Sequence, residues 1–306
     1  MIADQNCFRN NHCASDDAGH VRIGLALGGG CARGSAHMGV LRTLEDAGIA
    51  YDMMSATSIG ALAGLVHCVG YRAEYMIEAC KRELMPPWWL ARVPGGAYVH
   101  MMRMMKPSGI ATKIKRYLGD DCRLEELPVP LFITATDLIT GELVVQDQGC
   151  AVTALIASMS IPGIAKPVSD PESGIPRLLV DGGVLNNLPG DVLRERGADI
   201  VIGVDISAQP EDTSGWTDGK SPGVLSNMSR SWQLMNQWRN SHELNTCDIV
   251  IRPDVTGVGF TAFQQVDRLA NAGSAATTAA LPRIRSLIEK VAAAKAVLNQ
   301  PALAVS

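Results

Sequence analysis

A chain of 306 residues, 47 % apolar and 19 % charged, is long enough to bury a full core in one large α/β domain or two small ones. Its net charge of −4 puts no basic field over the whole molecule and argues against nucleic acid as a partner. No uninterrupted apolar stretch reaches the roughly 20 residues needed to span a bilayer, so any membrane contact is expected to be peripheral.

Residues 1–20 are polar, carry both signs of charge and lack the apolar stretch of an export signal; they read as a loose tail. The eight cysteines are scattered, with no C-x-x-C pair and no histidine at zinc-finger spacing. That pattern predicts free thiols in a reducing cytoplasm and no metal site.

"VRIGLAL" (21–27) is short, apolar and β-branched, the pattern of a buried strand. "GGGCARG" (28–34) reads as a loop, and "SAHMGVLRTLEDAG" (35–48) as a helix with Val40, Leu41, Leu44 and Ala47 on one face and Gly48 as its stop. A second short strand leads into "SATSIGA" (55–61), and a helix follows from Ile59 to Val69. Strand, glycine loop, helix, strand, turn, helix makes a parallel-sheet unit. Further on, 131–137 and 141–147 read as strands joined by a tight turn at Thr140-Gly141, and 151–160 as a helix. Residues 177–183 form a strand entering a turn, 190–198 a helix and 199–207 a buried strand. A Pro/Gly/Ser/Asp-rich loop (209–223), a helix (224–245), a last strand (248–254) and a mostly helical end (263–297) complete the reading. One α/β domain over 21–306 with strands of both orientations is expected.

The glycine loop fails both nucleotide fingerprints. Counting G-x-G-x-x-G from Gly28 puts Arg33 where the last glycine belongs, and no lysine follows Gly34 as a phosphate-binding P-loop requires. What remains is a run of backbone N–H groups at a helix start, kept clear of side chains by Gly28, Gly29 and Gly30, which favours negative charge and suits an oxyanion. Arg33 could steady the loop or meet a phosphate. A simple tight turn explains the glycines equally well.

Ser58 ends the neighbouring strand of the same unit, so it shares the carboxyl edge of the sheet with the glycine loop. Helix capping is the commoner reason for such a serine. A nucleophile needs a base. None of the six histidines follows a strand in the place a hydrolase triad requires, and His37 and His67 sit inside helices. Asp181 in "LLVDGGVLNNLP" directly follows an apolar strand, with Gly182 and Gly183 leaving room around it. A strand-ending turn is the other reading of "DGG".

"GGGCARG", "ATSIG" and "DGG", in that order, together resemble the patatin-like phospholipase family. The segment "TDLITGELVVQDQGCAVTALIASMSIPGIAKPV" is also similar to the bacterial branch of that family, and the likeness covers roughly 21–207. The resemblance implies a three-layer α/β/α hydrolase with a mainly parallel sheet, acting on acyl esters of phospholipids, lysophospholipids and neutral lipids. It implies Ser58 as nucleophile, Asp181 as base, and an oxyanion hole from Gly28, Gly29 and Gly30 with Arg33 and Gly34. It implies no metal, no cofactor and no catalytic histidine. In the elbow, Gly60 matches the family and Ala56 stands where a glycine is usual. An acyl-CoA thioesterase or acyltransferase with the same dyad, and a weakly catalytic lipid-binding protein, are the competing readings.

Residues 84–118 hold six Lys or Arg and no acid, a local charge of +6 that leaves −10 for the rest. Trp88, Trp89, Arg103 and Lys106 fall there, with the methionines of "MMRMMK". Tryptophan suits a half-wet boundary, and basic residues attract anionic head groups. A lid or lip touching an anionic membrane is expected over 84–109; a helical cap with buried Trp and Met is the alternative.

Overall fold

The computed structural model describes residues 19–93, 107–207, 243–259 and 261–298, with single positions between 96 and 103 and between 227 and 235. Residues 1–18 of the tail, Lys106, the 209–223 loop and most of the 224–245 helix lie outside the described residues. In chain order the elements are β1 (Ile23–Leu27), a 3-10 turn (Cys31–Gly34), α1 (Ser35–Asp46), β2 (Met53–Ala56) and α2 (Ile59–Cys68). Then come α3 (Ala73–Leu84), α4 (Trp88–Ala91), α5 (Pro107–Leu118), β3 (Leu131–Asp137), β4 (Leu143–Gln146) and α6 (Ala151–Ser158). The series closes with β5 (Val168–Ser169), β6 (Leu178–Asp181), a 3-10 turn (Gly182–Val184), α7 (Gly190–Glu195), β7 (Ile200–Val204), β8 (Ile249–Ile251) and α8 (Val266–Leu298).

The strands form one sheet in the order β5-β6-β3-β2-β1-β7-β8, with β4 also on β3. β3-β2-β1-β7-β8 run parallel, and β4, β5 and β6 supply the antiparallel pairs. Both faces are covered, as the near-continuous apolar strands require. Alternation along β1 sends Leu25 and Leu27 into the core shared with α1, α2 and α6, and Ala26 into a smaller core under α7. The mixed α/β fold with a mainly parallel sheet is therefore as the sequence implies. The two-residue β5 carried no sequence signal. The loop read over 28–34 closes into a 3-10 turn, and the helix read to 198 stops at Glu195, with Gly197 at φ +81°.

The register sets up the site. Leu27 pairs with both Ala56 and Val204, so the loops after β1, β2 and β7 leave the sheet side by side. On β3, β2 covers 131–133 and β6 covers 135–137, while β4 pairs 133–136. β4 thus takes one edge of β3, and β2 and β6 share the other. They run in opposite senses, so their carboxyl ends meet head-on: Ala56 opposes Ile133 and Asp181 opposes Ala135.

Candidate active site

Ser58 is buried, at φ +55° and ψ −122°, a region that a non-glycine residue occupies only when its surroundings hold it there, at about 1–3 kcal/mol. It stands at the N-cap of α2, yet its side chain makes no capping bond. Its backbone N–H donates instead to Ser158 Oγ at 2.8 Å. The hydroxyl therefore does not serve as a helix cap, and the backbone has the sharp strand-to-helix form of a nucleophile elbow. Gly60 makes the sharp turn possible, since a Cβ there would lie 2.3 Å from Leu27 O. Ala56 is buried as the last residue of β2 and does not have positive φ, so its methyl group brings no backbone strain.

Asp181 ends β6, buried, and accepts a hydrogen bond from Gly183 N at 2.8 Å. Burial raises its pKa to about 6; its hydrogen bonds with the Ser58 side chain and the Gly183 amide pull the other way. Asp181 caps the turn that follows, at the strand end that faces the end of β2. Thr134 sits at the junction of the two strand ends. Thr57 Oγ1 donates to Asn186 O at 2.9 Å, so the 2.6 Å contact between the Thr57 and Thr134 hydroxyls has Thr134 as donor. Gly182 is needed at the same junction, because a Cβ would stand 2.3 Å from Thr134 Oγ1.

The glycine loop flanks Ser58: a Cβ on Gly29 would lie 3.2 Å from Ser58 Cβ. Its amides divide into two groups. Gly28 N–H donates to Val204 O and Gly29 N–H to Asn187 O, both at 3.1 Å, and Arg33 N–H closes the turn on Gly30 O. Those three are structural, which corrects the expectation that they are oxyanion donors. Gly30 N–H finds no acceptor among the described residues. The Arg33 guanidinium is buried and donates to Ile206 O at 3.4 Å, so it braces the loop rather than facing a substrate phosphate. Gly34 admits Ile59, whose Cγ1 would be 2.2 Å from an added Cβ.

His37 is not the base. Burial lowers its pKa to about 4, and its Nε2–H donates to Gly28 O at 2.7 Å. His67, at the far end of α2, pairs with Tyr51. Ser58 opens onto an apolar cavity of about 120 Å³ walled by Met38, Leu62, Val66, Met76, Ile114, Met159 and Phe263. Leu84, Lys113, Ile114 and Tyr117 bring the basic segment to this cavity, and Lys113 and Glu83 are its charged members. Trp88 and Trp89 do not line it: they are 72 % and 52 % exposed, with Arg92 stacked 5.4 Å over Trp88 and Arg103 exposed nearby in sequence. Among the described residues, no helix is long and apolar enough to cross a membrane, and no group of three or more His, Cys, Asp or Glu is placed to hold a metal ion.

The model of the family described as patatin-like phospholipase matches residues 25–194, more than half of the chain, including the glycine loop, Ser58 and Asp181. The chain belongs to the patatin-like phospholipase family. An uncharacterized NTE family protein of Mycobacterium tuberculosis is 31 % identical over 278 residues, 85 % of this chain and 46 % of the relative. Human patatin-like phospholipase domain-containing protein 6 is 33 % identical over 217 residues, 71 % of this chain and 15 % of the relative. The chain thus spans less than half the length of these patatin-like relatives. Human GIVD cytosolic phospholipase A2, solved with methyl gamma-linolenyl fluorophosphonate, has the same fold at a TM-score of 0.51 and 12 % identity, over 95 % of this chain and 62 % of that one.

Sequence reasoning missed Ser158, Thr134 and Asn187. Asn187 alone left a trace, as the second asparagine of "DGGVLNNLP".

Proposed function

We propose that this chain is a serine acyl hydrolase that cleaves acyl esters of phospholipids, lysophospholipids or related lipids through Ser58 and Asp181. The observation that carries the reading is the strained, uncapped Ser58, which faces an apolar cavity at the strand end that meets the buried Asp181 end of β6. Ser58 Oγ attacks the ester carbonyl carbon while its proton passes to Asp181. The carbonyl oxygen becomes an oxyanion and is met by Gly30 N–H and the first free amides of the Cys31–Gly34 turn. Collapse expels the alcohol, which takes the proton back from Asp181, and leaves an acyl-Ser58 ester. Water then attacks that ester, again giving its proton to Asp181; the fatty acid leaves and Ser58 regains its hydroxyl proton. A base with pKa about 6 is ionised at neutral pH and still basic enough to share the proton in flight.

Ser58→Ala and Asp181→Asn are each expected to abolish hydrolysis of a chromogenic acyl ester with the fold intact by circular dichroism; near-wild-type turnover by either sinks the reading. Acyl-CoA thioesters and acyl transfer would use the same groups, and parallel assays on p-nitrophenyl ester, lysophospholipid and acyl-CoA rank the three. A merely lipid-binding protein would gain nothing from holding Ser58 at positive φ. The exposed Trp88 and Trp89, with Arg92 and Arg103, form the surface that meets an anionic lipid interface, peripheral to the membrane.

A further inference from the structure

Asn187 lies in the loop between the Gly182–Val184 turn and α7, with only 6 % of its surface exposed. Its backbone carbonyl accepts Gly29 N–H at 3.1 Å. Its side-chain Nδ2 donates to Gly29 O and to Ser207 Oγ, each at 3.3 Å. Gly29 O can only accept, which assigns Nδ2 to that side and leaves Oδ1 on the other. Oδ1 lies 2.6 Å from where a Gly29 Cβ would stand and 3.0 Å from a Gly183 Cβ, so Asn187 is packed between the oxyanion loop and the turn after Asp181.

Two successive peptide planes are held in this way. In a planar trans peptide the C=O of one residue and the N–H of the next point in opposite directions. The Gly28–Gly29 plane is pinned at both ends, by His37 on Gly28 O and by Asn187 O on Gly29 N–H. In the Gly29–Gly30 plane Asn187 Nδ2 holds the oxygen, which turns Gly30 N–H to the opposite side. That N–H has no acceptor among the described residues. Glycine at both positions would let the plane rotate easily if the Nδ2 bond were absent. Rotation would put a carbonyl oxygen where the donor now stands.

We infer that Asn187 is a positioning residue for the oxyanion hole: its side-chain amide fixes the Gly29–Gly30 peptide so that Gly30 N–H faces the oxygen that turns negative when Ser58 attacks. This rests on the acyl-hydrolase reading of Ser58 and goes beyond it, because it assigns the direction of a backbone donor to a side chain that never touches substrate. The contribution is made only in the transition state, since the ground-state carbonyl carries little charge. Loss of such a donor lowers kcat by about a hundred- to a thousand-fold.

The test compares Asn187→Asp, which keeps the shape but sets a carboxylate against Gly29 O, with Asn187→Ala. Rates are expressed per active site titrated to completion with a fluorophosphonate, so unfolded protein is not counted. Two inhibitors are compared: a trifluoromethyl ketone, which serine captures as an oxyanion, and an ether analogue with no carbonyl. In both variants kcat and ketone affinity are expected to fall together by about a hundredfold or more, while KM and ether affinity stay within about threefold. A kcat per titrated site within about threefold of wild type, or an equal fall in ketone and ether affinity, overturns the inference. Ser58→Ala is assayed beside them: turnover there would remove the acyl-hydrolase reading itself, whatever Asn187 does.

Discussion

Asp181 is an acid placed where its charge is costly. Burial is the largest influence on it and raises the pKa to about 6, while the hydrogen bonds with Ser58 and Gly183 oppose the rise. The unfolded chain would ionise near the ordinary value of about 3.9. Below that pH both states are protonated and the group does not affect stability. Between about 4 and 6 the unfolded state ionises first, so stability falls as pH rises, and above about 6 the full penalty, about 3 kcal/mol, is present. Asp181→Asn is therefore expected to be more stable than wild type in urea titrations at pH 8, with the gain shrinking to nothing below pH 4, although it is inactive. Activity should show the opposite dependence: kcat rises with pH through about 6 and then levels, because only the carboxylate can take the serine proton. A kcat that is flat from pH 4.5 to 8 would mean that Asp181 is not the base.

At the level of elements, the site exists because β2 and β6 abut on one edge of β3, and because α2 starts against the end of β1. Gly60→Ala tests the second contact. Its Cβ would press on Leu27 O and Gly28 O, at 2.3 and 2.8 Å, and push α2 and Ser58 away from the glycine loop. A destabilisation of about 1–3 kcal/mol by urea titration is expected, with at least a tenfold loss of kcat in the folded fraction. Ala56→Gly removes a methyl group that the strand accommodates without strain. It should leave kcat unchanged and cost about 1 kcal/mol of stability, so a large loss of activity would contradict the geometry of the turn. These contacts also explain what could be read beforehand. The positions of Ser58 and Asp181 at strand ends are legible because each follows or ends a short apolar strand beside small residues. The use of the Gly28 and Gly29 amides by Val204 and Asn187, and the bond from Ser58 N–H to Ser158, join segments about 100 to 180 residues apart. No local pattern encodes such pairings, and the two-residue β5 is too short to show periodicity.

At the scale of the whole molecule, the basic segment and the apolar cavity at Ser58 come together. The chain is acidic overall, yet its basic segment supplies part of the cavity wall through Leu84, Lys113, Ile114 and Tyr117, while Trp88 and Trp89 remain on the outside. Removing both rings, as Trp88→Ala with Trp89→Ala, should weaken binding to anionic vesicles by roughly tenfold or more and leave hydrolysis of a soluble p-nitrophenyl ester unchanged. Undiminished vesicle binding would show that the two rings are not a lipid contact. Wild-type binding should also weaken with salt, since the basic residues act through a screened field. The whole proposal depends on one atom, Ser58 Oγ, being a nucleophile. Reaction with a fluorophosphonate, followed by peptide mapping in a mass spectrometer, tests this most directly. One adduct per chain on Ser58, lost in Ser58→Ala and strongly slowed in Asp181→Asn, is the expected result. An unlabelled wild-type protein, or an adduct on another residue that persists in Ser58→Ala, would contradict it.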